Sequence, residues 1–173
     1  MQSLTLQAMV IAVISDTHLP RGARRIPDAC LERMRASDLV IHAGDISTRE
    51  VLEEIGEAAG KKVHAVYGNV DSAELRNTLP ESRVVDADGA KIAVVHDAGP
   101  ATSRLKRMRK RFPEADAVVF GHSHIPLHEK DEETGFQIFN PGSPTDRRRQ
   151  PVHTMGLARA TRGELDFELV TLA

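Results

Sequence analysis

Short, almost unbroken apolar runs punctuate this chain, and each stops abruptly in a cluster of aspartate, asparagine, histidine or glycine. The first is Met9 to Ile14 (MVIAVI). A run this short suits a strand covered on both faces, although periodicity alone does not separate it from a buried helical segment. Ser15 to Pro20 breaks it, and Ile26 to Ser37 then takes up helical spacing, with Pro27 suited to a first turn. Leu39 to His42 reads as a second strand, Thr48 to Ala59 as a helix and Lys62 to Tyr67 as a third strand.

Beyond residue 80 the texture turns towards paired strands. Arg83 to Ala87 and Lys91 to Val95 flank Asp88-Gly89 and predict a hairpin. A basic helix is expected over Ala101 to Arg111, then a strand at Ala117 to Phe120. Further strands are expected at Leu127 to Lys130, Gln137 to Phe139, His153 to Ala160 and Glu164 to Leu172, the last two joined by Thr161-Arg162-Gly163. No repeat, low-complexity tract or linker interrupts the pattern. The chain reads as one α/β domain from Met9 to Ala173, with a β-rich second half and a polar leader, Met1 to Ala8.

Composition narrows the classes. With 173 residues the chain has the size of one compact domain, and its net charge of -2 argues against a protein that coats nucleic acid. The one cysteine, Cys30, leaves no internal disulfide and no four-thiolate zinc site. No apolar run approaches the roughly 18 to 20 residues of a membrane-spanning helix. The first basic residue is Arg21, so a secretory leader is not expected, and the cytoplasm is the expected location.

The chemistry lies at the strand ends. Asp16-Thr17-His18 follows the first strand, Gly44-Asp45 the second and Gly68-Asn69-Val70-Asp71 the third. His96 closes the fifth strand, and Gly121-His122-Ser123-His124 closes the next. Ligands of α/β sheets bind outside the carboxyl ends of the strands, so these clusters share one edge. Asp16, His18, Asp45, Asn69, His96, His122 and His124 offer seven donors, against about four around one zinc ion. Two ions sharing a bridging carboxylate fit that number. Mixed nitrogen and oxygen donors point to manganese, iron, zinc, cobalt or nickel rather than calcium or magnesium. Two divalent ions and two aspartates would leave about +2, a charge that attracts anions such as phosphate esters. Any one of these fragments alone reads as turn or cap chemistry, since Asn and Asp favour turns anyway. Five in order, each at a strand end, do not.

The ordered series Asp16-x-His18, Gly44-Asp45, Gly68-Asn69, His96 and Gly121-His122-x-His124 resembles the calcineurin-like metallophosphoesterases. The small size, and Asn140-Pro141-Gly142-Ser143 after the double-histidine motif, resemble the compact bacterial and archaeal phosphodiesterase branch. The resemblance implies two packed mixed β-sheets flanked by helices, an α/β/β/α sandwich. It implies that Asp16, His18 and His124 hold one metal, Asn69, His96 and His122 a second, and that Asp45 bridges them. Manganese is the foremost cofactor it implies. Asp45, Asn69 and His96 are the residues it implies for catalysis, with Asn69 also orienting the phosphate. Family members are often dimers or tetramers, so a homo-oligomer is an allowed partner.

The implied activity is hydrolysis of a small phosphodiester or cyclic nucleotide by a hydroxide activated between two metals. A phosphomonoesterase, a nuclease or a non-catalytic scaffold of the same fold are the alternatives; the full set of seven donors favours an enzyme. Many relatives carry a histidine after the asparagine to protonate the leaving group, whereas this chain has Val70. General acid catalysis supplies about 10²- to 10⁴-fold, so esters with poor leaving groups are the ones put in doubt. Asp71 is expected to orient Asn69 or a ligating histidine, or else to form the turn. His42 is a candidate for supporting the site; His64 reads as structural, and His128 and His153 as surface residues. Arg147, Arg148 and Arg149 read as a solvated loop, with a phosphate or nucleic-acid contact as the alternative. The basic helix leaves a nucleic-acid substrate conceivable but not favoured.

Overall fold

The computed structural model describes residues 6–173, and most of the expected leader, Met1 to Thr5, lies outside the described residues. Ten strands form two five-stranded sheets. The first has the order β10-β9-β1-β2-β3, from β1 (Met9–Ile14), β2 (Leu39–His42), β3 (Val63–Ala65), β9 (His153–Thr161) and β10 (Glu164–Leu172). The second has the order β4-β5-β6-β8-β7, from β4 (Ser82–Ala87), β5 (Ala90–Val95), β6 (Ala117–Val119), β7 (Leu127–Lys130) and β8 (Gln137–Asn140). Both are mixed. In the first, β1, β2 and β3 run parallel while β9 lies antiparallel to β1; in the second, β5, β6 and β8 run parallel between antiparallel edges.

The sheets pack face to face over Ile11, Val13 and Ile41 on one side and Ile92, Val119 and Phe139 on the other, all buried. Both faces of β1 are covered, which is why MVIAVI shows no alternation: Ala12 and Ile14 pack outward on the helices. Those helices are α1 (Asp28–Ala36) and α2 (Arg49–Ala59), which contribute Cys30, Met34, Val51 and Ile55. The second sheet is covered by α4 (Arg104–Arg111) through Met108, with Phe112 just beyond its end. The architecture is the helix–sheet–sheet–helix sandwich expected above.

Local chemistry sets the boundaries. Thr48 caps α2 through its side chain, and Gly60 ends it in a left-handed conformation. Two-residue turns, Asp88-Gly89 and Arg162-Gly163, close the β4–β5 and β9–β10 hairpins with positive φ at both residues. They also touch, because Gly163 and Arg162 donate backbone N–H bonds to the carbonyl and carboxylate of Asp88. That latch ties the two sheets at the end opposite the polar clusters. The third strand is shorter than expected, because Val66 to Asn69 already turn into the site. The expected helix over Ala101 to Arg111 begins only at Arg104, since Ala101 to Ser103 form a turn ending in a left-handed residue. A further helix, α3 (Ala73–Thr78), was not expected; Ser72 caps it by accepting from Leu75.

Candidate metal centre

Six strands run parallel with neighbours in their sheets, and the segments leaving their carboxyl ends meet. Five carry the expected donors, after β1, β2, β3, β5 and β6. The sixth is Asn140-Pro141-Gly142-Ser143 after β8, which binds the others together. Ser143 Oγ donates to the Asp16 carbonyl at 2.8 Å, Thr145 Oγ1 to the Thr17 carbonyl at 2.7 Å, and Asn140 Nδ2 to the Gly121 carbonyl at 3.1 Å. Backbone bonds link the rest: Asp16 N–H to Gly44, His18 N–H to Asp45 and Gly121 N–H to His96.

This net holds unfavourable backbone in place. Asp16, His18, Asp45, His122 and His124 have φ of +57°, +45°, +60°, +71° and +60°. Left-handed backbone at such residues costs on the order of 1–3 kcal/mol each and persists only where surroundings over-determine it. Five of the ten non-glycine residues with positive φ among the described residues are therefore expected donors. Close approach matters equally. A Cβ at Gly68 would collide with the Asp45 carboxylate, and one at Gly121 with Ser15 Oγ and the Asp16 carboxylate.

All seven expected residues converge. Asp45 Oδ2 lies 3.5 Å from His18 Nε2 and 3.2 Å from His96 Nε2. Asp16 Oδ1 lies 3.6 Å from His124 Nε2, 3.9 Å from His18 Nε2 and 4.0 Å from His96 Nε2. The two Nε2 atoms of His18 and His124 are 3.2 Å apart. Asn69 Oδ1 is 3.1 Å from both His96 Nε2 and His122 Nδ1. Asp16, Asp45, His96 and His124 are buried, His18 is half-buried, and Asn69 and His122 face solvent. The open side is therefore the Asn69–His122 side.

Each carboxylate turns one oxygen towards the histidines, although the His122 N–H also reaches Asp16 Oδ1 at 3.3 Å. Asp16 Oδ2 accepts from Ser15 Oγ at 2.8 Å and takes the shorter arm, 3.0 Å, of the His122 N–H, with Oδ1 turned towards the histidines. Asp45 Oδ1 accepts from the Val70 N–H at 3.1 Å, leaving Oδ2. Carbonyls only accept, so the Ala43 carbonyl 2.7 Å from His96 Nδ1 and the Asp146 carbonyl 2.5 Å from His124 Nδ1 put protons on those nitrogens. The Nε2 atoms that face inward then carry lone pairs. Once deprotonated, two carboxylates, an amide oxygen and imidazoles thus turn lone pairs towards one another in a space that is buried except on the Asn69–His122 side. A cation satisfies that arrangement, and donor atoms of Asp16, His18 and His124, and of Asp16, Asp45 and His96, lie within 4.8 Å of one another. The residues present fit divalent metal binding.

Protonation follows the same logic. Burial raises the Asp16 carboxyl to about 7. Burial works against a charge on His96, yet its hydrogen bond to Asp45 and the charges of Asp16 and Asp45 prevail and raise it to about 8. Burial lowers His18 and His124, and the nearby Arg148 charge lowers both further.

Around the donors, several roles become visible. His42 is fully buried; its Nδ1 accepts from the Gly44 N–H at 3.1 Å, so its Nε2 donates to Thr17 Oγ1 at 2.9 Å, and burial lowers its pKa to about 3. It is a neutral brace for the first two clusters. Asp71 touches neither Asn69 nor a candidate histidine, contrary to the first expectation. Its carboxylate accepts instead from the backbone of Gly68, Asp45 and Ser47. The basic helix is partly consumed locally, because Arg104 holds the Gly99 carbonyl and Arg107 the carbonyls of Ala98, Pro100 and Thr102. Both brace the segment that follows His96. Asp97 accepts from the Gly99 N–H in that segment. A cavity of about 160 Å³ opens beside Asn69 and His96, lined also by Tyr67, Glu81 and Asp97. Ser15, Asp146 and Arg24 were not anticipated; of these, only Asp146 lies close to a signal, the Asn-Pro-Gly-Ser motif ending at Ser143.

Residues 9–163 match the calcineurin-like phosphoesterase superfamily domain. A relative described as a probable metallophosphoesterase of Methanothermobacter thermautotrophicus is 33% identical over 164 residues, covering 94% of this chain and 92% of that one. Among solved structures, Vps29 from Cryptosporidium parvum superposes with a TM-score of 0.73 at 21% identity, covering 96% of this chain and 99% of that one. A structure described as a novel archaeal phosphodiesterase superposes with a TM-score of 0.69 at 23% identity, covering 95% and 100%. At those identities the two structures show a shared fold. The chain belongs to the calcineurin-like phosphoesterase superfamily. No helix among the described residues is long and apolar enough to cross a membrane.

Proposed function

We propose that this protein is a metal-dependent phosphodiesterase acting on a small diester or cyclic nucleotide, with residues 9 to 173 forming one functional domain. Asp16, His18 and His124 would hold one divalent cation, and Asn69, His96 and His122 a second. The observation that carries the reading is Asp45 Oδ2, placed within 3.5 Å of histidines from both groups while its other oxygen is engaged by Val70. That position supports Asp45 as the carboxylate shared by two ions. Bound divalent ions supply Lewis-acid stabilisation of the phosphoryl oxygens and a nucleophilic water at neutral pH, with manganese the favoured metal. The protein's own part is positioning. Asn69, exposed on the open side, can donate its amide N–H to the phosphate while its Oδ1 stays on the metal side. His96, fixed by the Ala43 carbonyl, and Asp45 hold the geometry against the reacting group.

Val70 bears on the leaving group that the site tolerates. It is 51% exposed beside Asn69, so no protonatable side chain stands there to assist a strongly basic leaving group. The experiment compares manganese-loaded protein on an aromatic phosphodiester and the matching monoester. Higher kcat/KM on the diester is expected; preference for the monoester would replace this reading with that of a phosphatase. The Vps29 likeness keeps a scaffold role as the second reading, and a protein that binds metal and turns over neither ester would favour it.

A further inference from the structure

The cavity of about 160 Å³ beside Asn69 and His96 adjoins the second of the two proposed cations, and Tyr67, Val95, Glu81 and Asp97 wall it. Local bonds fix those walls. The Tyr67 N–H donates to the Pro80 carbonyl at 3.2 Å, which brings Glu81 to the same rim. Asp97 Oδ1 accepts from the Gly99 N–H at 2.8 Å, within the segment that Arg104 and Arg107 brace. Its Oδ2 takes no hydrogen bond among the described residues. Neither does the hydroxyl of Tyr67, although that residue is half-buried. An acceptor and a hydroxyl thus stand unengaged against one small space. Glu81 is exposed and lies 3.9 Å from Arg111, which offsets part of its charge.

Size and charge decide what fits. An engineered cavity of about 150 Å³ in another protein accepts one benzene ring, so this space holds about one ring or a three-carbon chain. It does not hold a base and a sugar together. A second phosphate would face the carboxylates of Asp97 and Glu81, and no lysine or arginine lines the cavity. An ammonium group would face the two divalent ions, which keep about +2 after Asp16 and Asp45. An uncharged group rich in hydroxyls meets neither repulsion. Its O–H groups suit a carboxylate oxygen, which only accepts, and its C–H faces suit the phenol ring.

We propose that this cavity is the subsite for the alcohol esterified to the phosphate, and that Asp97 and Tyr67 select an uncharged polyol of glycerol or ribose size; this rests on the hydrolase reading above. Asn69 joins the two parts of the substrate, because it lines the cavity and also offers its amide to the phosphate.

The test is calorimetric binding of glycerol 3-phosphate and n-propyl phosphate, which differ only in hydroxyls, to manganese-loaded protein. The wild type should bind glycerol 3-phosphate about tenfold more tightly, the size expected for one hydrogen bond to a charged group. A probe with an ammonium (3-aminopropyl phosphate) and one with a second phosphate (propane-1,3-diol bisphosphate) should both bind more weakly than glycerol 3-phosphate. Asp97→Asn keeps an oxygen for the Gly99 N–H and puts an amide donor where the free oxygen stood, so the preference should fall to about threefold or less. Tyr67→Phe removes only the hydroxyl and should reduce the preference about threefold. Inorganic phosphate affinity should stay within about threefold of wild type in both variants. Equal binding of the first two probes by the wild type overturns the proposal, as does a preference unchanged in either variant. Tighter binding of the ammonium or bisphosphate probe overturns it too. So does a parallel loss of inorganic phosphate affinity, which would place these residues in holding the metal centre. Because binding needs no turnover, the two readings separate. Protein that shows the preference but hydrolyses no ester upholds the subsite and sinks the hydrolase; a diesterase without the preference does the reverse.

Discussion

The carboxylate of Asp71 holds Asp45 from behind: its Oδ2 accepts the Asp45 N–H at 3.2 Å and the Gly68 N–H at 2.7 Å, while its Oδ1 accepts the Ser47 N–H at 2.7 Å. One side chain thus fixes the left-handed residue whose oxygen is proposed to be shared. Asp71→Ala would leave buried N–H groups without partners, a cost of about 1–3 kcal/mol each where water does not replace the bond. Metal affinity should fall about 10- to 100-fold, as for other residues that orient ligands. Calorimetric metal titration alongside thermal unfolding checks both effects. A variant with unchanged metal affinity would show that the turn holds itself.

Metal binding should release protons. In the metal-free protein Asp16 titrates near 7 and His96 near 8, so at pH 6 both groups hold protons that a cation must displace. Affinity should therefore rise from pH 6 to above 8 and then level off. The stability sign agrees. Both pKa values lie above their ordinary values, so these groups contribute stability at low pH that is lost as pH rises through about 7 and 8. A cation replaces the lost protons, and the metal-induced increase in Tm should be larger at pH 8.5 than at pH 6, read by thermal shift in both buffers (pH values on the order of one unit either side of the titrations). Affinity that is flat across that range would contradict the protonated pair.

Val70→His should supply the proton donor that the position beside Asn69 lacks. The expected gain is about tenfold or more on an alkyl phosphoester, with little change on a p-nitrophenyl ester whose leaving group needs no proton. The ratio of the two rates is the measurement. An equal change on both esters would place the histidine in binding instead of proton transfer.

Much of this site was legible because strand and donor share a period. A buried parallel strand ends where its backbone can no longer be covered, and each such end carried its aspartate, asparagine or histidine. The return of β9 to β1 across the whole chain was not legible, because antiparallel pairing of Met9 with Ala160 leaves no local trace. Helix α3 was missed because six residues show too little periodicity, although Ser72 followed by Ala73 and Glu74 was an available cap signal. Asp71 was flagged, but its partners are backbone N–H groups, which sequence does not display. The left-handed backbone at five donors was equally hidden, since aspartate and histidine reach it only when a surrounding net compels them.

Lys61 offers a stability prediction remote from the metals. Its Nζ donates to the carbonyls of Met34 and Arg35 at 2.9 Å each and to that of Ser37, capping the carboxyl end of α1. Lys61→Met should cost about 1–3 kcal/mol, lowering Tm by roughly 2–12 °C. Diester kcat/KM measured well below Tm should not move. An unchanged Tm would mean that water caps those carbonyls equally well.

The shared oxygen of Asp45 is the centre of the account, and Asp45→Asn with manganese is its most direct test. The variant and the wild type would be titrated with manganese by calorimetry, and each loaded protein assayed on the aromatic diester. The expected result is two bound ions in the wild type, weakened binding in the variant and loss of diester turnover together with it. Full metal loading and undiminished turnover in Asp45→Asn would contradict a carboxylate shared between two ions.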